Sequence, residues 1–254
     1  MSSYNPFTLE GRNFLITGAA SGIGRQTSIV LSKLGANLIL CDINEKGLLI
    51  TKELCGEGHI LLPIDLLDSA AIKLAVTDVI SKFGKLHGFV HLAGRPYIAP
   101  LKSVSESKSK EIFALNTYAA IELSKLFINK NVYIGERGSI VFVSSVYGLV
   151  GSSANVSYAM SKSALHGITK SLSIELANKG IRVNCVAPGF IKTNMLDDTS
   201  DMFDATYAET LNRLHPLGIG EAEDVALSIA YLLSDAAKWV TGGIFSIDGG
   251  FTAQ

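Results

Sequence analysis

Charge is what this sequence has least of. Asp, Glu, Lys and Arg make up 18% of its 254 residues, where an average soluble domain carries about 25%. The two signs nearly cancel, 22 basic against 23 acidic residues, for a net charge of −1. A chain without a basic excess cannot displace the counterions of a phosphate backbone, so nucleic acid is not an expected partner. Cysteine is scarce as well. Cys41, Cys55 and Cys185 are an odd number without C-x-x-C spacing, which excludes a disulfide framework and suits thiols in a reducing cytoplasm. No apolar run reaches the roughly 18 residues of a membrane span. The start, Met1-Ser-Ser-Tyr-Asn-Pro, lacks a basic stretch leading into an apolar one, so neither membrane nor secretory signal is expected. The histidines at 59, 87, 91, 166 and 215 show no metal-ligand spacing. No Gly-x-Ser-x-Gly elbow of a hydrolase occurs.

What the chain does have is apolar content, 48% hydrophobic residues and a mean hydropathy of +0.33, high enough to expect apolar surface buried between subunits. Short apolar runs at Asn13–Thr17, Asn37–Cys41, His59–Ile64, Leu86–Leu92, Ser139–Ser144, Ile181–Val186 and Gly243–Ile247 read as buried strands. Helix-length segments lie between them, among them Gly22–Leu34, Ser69–Phe83, Ser103–Asn129, Ser157–Asn178 and Glu221–Leu233. Strand–helix alternation with short links predicts an α/β fold, a doubly wound parallel sheet of seven strands with helices on both faces. No linker or repeat interrupts it, so residues 1–254 are expected to form one domain. Residues 190–220 depart from the alternation. They mix Met195, Leu196, Met202, Phe203 and Tyr207 with Asp197, Asp198, Asp201, Asp204 and Glu209, and an insertion of that length predicts a lid over a substrate.

After the first strand, Thr17-Gly-Ala-Ala-Ser-Gly-Ile-Gly24 sets Gly18, Gly22 and Gly24 at the mouth of a helix, with Ser21 and Ile23 among them. Backbone can approach a pyrophosphate closely there, and the helix N-terminus offers unpaired N–H groups. Eighteen residues beyond Gly24 the second strand ends at Asp42. A carboxylate in that place accepts hydrogen bonds from adenosine ribose hydroxyls and repels a 2′-phosphate. Ser21 and Ile43 supply no cation to reverse this, and Arg25, early in the helix, is expected to point to solvent. NAD is favoured over NADP.

Tyr158-Ala-Met-Ser-Lys162 puts a phenol and an ammonium four residues apart on one helix face. Tyr158, Lys162, Leu165, Thr169, Leu172 and Leu176 form one stripe, and a lysine within an apolar stripe is costly unless paired. Catalysis accounts for it. A free phenol, with pKa about 10, is too weak an acid near neutrality. A cation about 4 Å away lowers that value by roughly three units at an effective dielectric near 20, which equips Tyr158 as general acid or base.

Taken in order, Thr17–Gly24, Asp65-Leu66, Ala93-Gly94, Asn116, Ser144-Ser145, Tyr158 with Lys162, Pro188-Gly189 with Ile191 and Thr193, and Asp248-Gly249-Gly250 make the chain similar to the short-chain dehydrogenase/reductase family over essentially its whole length. The resemblance implies a Rossmann-like fold and an NAD(P)-dependent oxidoreductase that interconverts a secondary alcohol and a ketone. It implies that Ser145, thirteen residues before Tyr158, orients the carbonyl, and that Asn116 positions a water that links Lys162 to solvent. By the same resemblance Lys162 and Tyr158 reach the nicotinamide ribose, and Asp65 and Leu66 lie along the adenine. Ala93, Gly94, Pro188 and Gly189 border the cofactor, and Ile191 and Thr193 meet the carboxamide. His91-Leu92 stands where the family commonly has Asn-Asn, and His91 reads as a satisfied strand-end residue.

The general likeness is to 3-oxoacyl-carrier-protein reductases and to sugar or polyol dehydrogenases. Glu136 and Ile174 occupy the places where carrier-protein reductases present arginines, which favours a small neutral substrate, although Arg95 beside the cleft leaves a carboxylate open. A dinucleotide-sensing regulator without turnover is the rival reading; it predicts loss of Ser145, Tyr158 or Lys162, and all three are present. A homotetramer is expected from the two long helices, with Ala114, Ala119, Ala120, Ala164 and Ala177 on outward faces that allow close approach.

Overall fold

The computed structural model describes residues 4–193, 210 and 213–253. Seven apolar runs form one parallel sheet from β1 (Asn13–Thr17), β2 (Asn37–Asp42), β3 (Ile60–Pro63), β4 (Gly88–His91), β5 (Gly138–Val143), β6 (Ile181–Pro188) and β9 (Ile244–Ile247). The strand order is β3-β2-β1-β4-β5-β6-β9. Two short strands, β7 (Ile191–Lys192) and β8 (Gly220–Glu221), pair with each other apart from it. Alternation along β1 shows why the strands are apolar throughout. Phe14 and Ile16 face one layer with Leu38, Leu40, Val141 and Val186. Leu15 faces the other with Ile39, Phe89, Phe142 and Val183. Helices cover both layers: α1 (Gly22–Lys33) and α7 (Ala222–Leu233) bury Val30, Leu31, Val225 and Ile229 in the first. In the second, α3 (Ser69–Phe83), α5 (Ala119–Phe127) and α6 (Val156–Glu175) bury Ile72, Leu123 and Leu165.

Several boundaries differ from the expected ones. Helix α2 (Glu45–Cys55) is formed although no apolar stripe announces it; Asn44 caps it by accepting from the Gly47 N–H at 3.0 Å. The long helix expected over Ser103–Asn129 is divided. It runs as α4 (Glu106–Phe113), a π-helical turn at Ala114–Tyr118, and α5. Within the turn Asn116 and Thr117 point inward and bind α6 and the Arg95 backbone. Ala119 and Ala120 are buried rather than outward. The exposed apolar groups on these helices are instead Tyr118, Val156, Met160 and Ile174. Of the expected lid at 190–220, residues 194–209, 211 and 212 lie outside the described residues.

The chain order reverses between β1 and β4, which lie side by side. At such a switch point the loops leaving the C-terminal strand ends splay to opposite faces and leave a crevice. The loop after β1 and Ala93-Gly94 after β4 meet there.

Candidate active site

The crevice has two connected parts. The first, of about 240 Å³, is lined by the β1–α1 loop, the end of β2 and the segments after β3 and β4. Gly18, Ser21, Gly22, Ile23 and Gly24 form its floor, Asp42, Asp65 and Leu66 one end, and Ala93 and Gly94 the other. Glycine is required in this loop. Gly18 has φ +70°, and a Cβ on it would sit 2.8 Å from the Ala93 nitrogen. A Cβ on Gly24 would collide with the Gly18 carbonyl. Helix α1 opens onto the crevice with no side-chain cap from Ser21 and no acidic residue in its first turn. Its leading N–H groups and positive dipole end therefore suit an anion.

Asp42 divides its carboxylate between structure and surface. Oδ2 accepts from the Ala20 N–H at 3.2 Å and Oδ1 from the Asn44 N–H at 3.0 Å, so it shapes the loop while still lining the crevice. Arg25 does not point to solvent. Its guanidinium turns back, donating to the Ala20 carbonyl and, at 3.1 Å, to Thr51 Oγ1. Those acceptors lie beneath the loop, and Arg25 is not part of the crevice wall.

The second part, of about 440 Å³, shares Ile23, Gly94 and Thr193 with the first and adds Ser145, Tyr158, Lys162, Pro188, Gly189 and Ile191. Ser145 follows β5, and Tyr158 and Lys162 lie one turn apart on α6. Ser145 and the Tyr158 phenol line the same cleft, and Ser145 Oγ accepts from the Tyr147 N–H at 3.2 Å. Lys162 Nζ donates to the Val143 carbonyl at 2.8 Å and lies 5.9 Å from the centre of the Tyr158 ring. A Cβ on Gly94 would come within 3.2 Å of that ammonium and 3.0 Å of Asn116 Oδ1. The bare backbone at 94 thus keeps open a space beside Lys162, whose remaining N–H donors suit ribose hydroxyls.

Electrostatics correct one expectation. The Tyr158 phenol is pushed up, not down: burial disfavours the phenolate, the neighbouring Ser145 hydroxyl opposes this, and Tyr147 adds to the rise. Burial also lowers Lys162 to about 8. The ammonium donates to the Val143 carbonyl, and desolvation governs both groups.

Asn116 is fully buried and stands outside both walls. Its amide donates to the Arg95 carbonyl at 3.1 Å and to Ser161 Oγ at 3.0 Å, while Oδ1 accepts from the Arg95 N–H at 2.9 Å. His91 is likewise buried, between Thr17 Oγ1 at 3.0 Å and the Leu115 carbonyl at 3.3 Å. Thr17 Oγ1 in turn accepts from the N–H groups of Leu92 and Ala93. Nε2–H therefore donates to Leu115, and Nδ1 accepts from the threonine hydroxyl. Arg95 reaches both parts of the crevice, but its guanidinium pairs with Glu111 at 3.2 Å. Sequence reasoning missed the Ser152–Asn155 segment and the rings of Tyr147 and Phe190, all in the second part. Nothing in their spacing marks them, because they enter from two separate loops.

Comparison with known proteins agrees with this geometry. A family model described as enoyl-(acyl carrier protein) reductase matches residues 18–252. The chain is 37% identical over 246 residues to the 3-oxoacyl-[acyl-carrier-protein] reductase FabG of Thermotoga maritima, covering 95% of this chain and 98% of that one. Among solved structures it is similar to 7α-hydroxysteroid dehydrogenase complexed with NADH and 7-oxo glycochenodeoxycholic acid, with TM-score 0.89, 27% identity and 98% of both chains covered. It is also similar to a gluconate 5-dehydrogenase from Burkholderia cenocepacia in complex with NADP and tartrate, with TM-score 0.91, 25% identity and 98% of both chains covered. No helix among the described residues is long and apolar enough to cross a membrane. The chain belongs to the short-chain dehydrogenase/reductase family and is an oxidoreductase acting on CH–OH groups.

Proposed function

We propose that the protein interconverts a small neutral secondary alcohol and its ketone, with NAD as hydride partner and Tyr158 as general acid and base. The observation that carries this reading is that Ser145, Tyr158 and a buried Lys162 line one cleft, continuous with the phosphate-binding crevice. When bound, the nicotinamide ring takes up or supplies the hydride. In the oxidative direction, Tyr158 Oη takes the hydroxyl proton as the C–H bond at the carbinol carbon breaks and the C=O bond forms. In reduction it returns that proton to the oxygen. Ser145 Oγ–H holds the reacting oxygen beside the phenol. Burial raises the phenol and lowers the ammonium, so each charged form needs the other, and Lys162 supports the phenolate while it holds ribose hydroxyls.

Ile191, Thr193, Pro188 and Gly189 border the nicotinamide end in this reading, and Asp65 and Leu66 the adenine end. Asn116 acts through the Arg95 backbone that it clamps. Asp42 at the ribose end, with Arg25 turned away, supports NAD over NADP. The Burkholderia cenocepacia enzyme in complex with NADP makes that choice one to measure. A carrier-linked substrate is the second reading, favoured by the Thermotoga maritima relative. Against it, Glu136 and exposed Ile174 stand where a docking cation is needed. We further propose a cytoplasmic homotetramer, supported by the three free cysteines and the exposed apolar groups of α6.

The test is Tyr158→Phe. It is expected to leave the NADH dissociation constant nearly unchanged while turnover falls by about 10²-fold or more. Wild-type turnover in this variant would overturn the acid–base assignment.

A further inference from the structure

The segment that leads into α6 is built against local preference. Asn155 occupies the N-cap of α6, where an asparagine ordinarily accepts from an N–H of the first turn, yet its side chain makes no such bond. Its Nδ2 donates instead to Ser152 Oγ at 3.1 Å and to the Ser153 carbonyl at 3.3 Å. Those acceptors settle which end of the amide is which, since a flipped amide would set Oδ1 against the Ser153 carbonyl. Oδ1 then receives no hydrogen bond from any described residue, although Asn155 is only 7% exposed and lines the 440 Å³ cleft. The residue before it, Ala154, has φ +60°, a left-handed conformation that alanine rarely adopts. A hydrogen bond from the Ala99 N–H to the Ala154 carbonyl, 2.8 Å, holds it there.

On a side chain otherwise packed away, this oxygen opens into the cleft, where a bound molecule can supply the donor that the protein does not. The rest of the cleft narrows what brings it. Tyr147 and Phe190 meet edge to face at 5.8 Å, with Phe251 within 6.4 Å of both. Rings braced in this way, steeply inclined to one another, give a stiff apolar corner that suits the C–H surface of a rigid ring better than a flexible chain. Among the described residues the charged groups in the wall are Arg95 and Lys162. Arg95 pairs with Glu111, and Lys162 gives one donor to the Val143 carbonyl and keeps the others for the cofactor ribose, which favours a neutral substrate over a carboxylate or phosphate.

We propose that Asn155 is a specificity-determining residue, and that the substrate is a neutral ring compound bearing a hydroxyl besides the one that reacts. The Asn155 Oδ1 accepts from this second hydroxyl, and the ring rests on Tyr147 and Phe190. This inference rests on the oxidoreductase reading above.

The experiment compares NAD-dependent oxidation of the cyclohexane-1,2-diols and cyclohexane-1,3-diols with that of cyclohexanol, 2-hexanol and a 3-hydroxybutyrate ester. At least one ring diol is expected to exceed cyclohexanol in kcat/KM by about 10-fold, the worth of one good hydrogen bond. Asn155→Ala is expected to abolish that ratio while cyclohexanol is still oxidised, and Asn155→Gln, which keeps both the donor and the acceptor of the amide, to retain part of it. NADH binding measured by fluorescence reports that each variant is folded. Equal rates for diols and cyclohexanol, or an unchanged ratio in Asn155→Ala, would overturn the proposal. So would turnover of the open-chain compounds alone, which would leave the oxidoreductase reading standing. Failure of every alcohol and matching ketone with either dinucleotide would overturn both.

Discussion

His91 joins three parts of the site from beneath, and its ring must be neutral to do so. Nδ1 accepts from Thr17, the residue that precedes the phosphate loop, and Nε2–H donates to Leu115 in the π turn that carries Asn116. Burial, with Lys162 nearby, lowers its pKa from 6.5 to about 3. The folded value lies below the unfolded one, so the unfolded chain binds the extra proton. The stabilisation is complete above the unfolded pKa and is lost as pH falls from 6.5 toward 3. From these two values, going from about pH 7 to about pH 4.5 removes stability on the order of 2 to 3 kcal/mol. His59, His87 and His166 are also lowered by burial and add to the acid sensitivity, so the His91 share must be isolated by substitution. Asn at 91 keeps a donor and an acceptor but does not titrate. Urea unfolding of wild type and His91→Asn at both pH values gives four free energies. The acid-induced loss in the variant is expected to be smaller by roughly 2 to 3 kcal/mol. An equal loss in the two proteins would refute the claim that the fold holds this ring neutral.

Other outcomes follow from the same geometry. At about 4 Å and an effective dielectric near 20, Asp42 and a 2′-phosphate charge repel by about 4 kcal/mol before screening. One or two kcal/mol surviving screening gives a roughly five- to thirty-fold tighter dissociation constant for NADH than NADPH. Fluorescence titration should show Asp42→Ala erasing this preference and Asp42→Ala with Ile43→Arg inverting it; equal constants in the wild type would refute it. Gly18→Ala, at φ +70° and against the Ala93 nitrogen, is expected to cost about 2 kcal/mol in urea unfolding and to weaken NADH binding. Unaltered binding in a stable variant would show that the loop tolerates a side chain. Light scattering should return about four times the 27.0 kDa chain mass, and a monomer at micromolar concentration would exclude the tetramer.

The parallel sheet was legible because its strands are buried on both faces, and such strands are apolar without alternation. The glycine loop was equally legible, since close backbone approach leaves almost no other residue possible at 18 and 24. Helix α2 escaped notice because Glu45–Cys55 has a weak stripe and relies on its Asn44 cap. The π turn escaped because it is caused by partners far along the chain, Arg95 and Ser161, and not by any local preference of Ala114–Tyr118. The spacing of Tyr158 and Lys162 put them on one helix face, which is a matter of 3.6 residues per turn. The direction of the Tyr158 shift was not a matter of spacing, because desolvation depends on every atom packed around the phenol. Arg25 shows the same division. Its position early in α1 follows from the sequence, but the carbonyl and hydroxyl that turn it away from the crevice come from Ala20 and from Thr51 on another helix. The sequence by itself determined which segments must be buried and where backbone must come close to a ligand, since both are properties of residue type and period. Only the tertiary structure decided that Asn155, Tyr147 and Phe190 share one cleft, because loops from separate crossovers converge there and no local pattern encodes which of their side chains will meet.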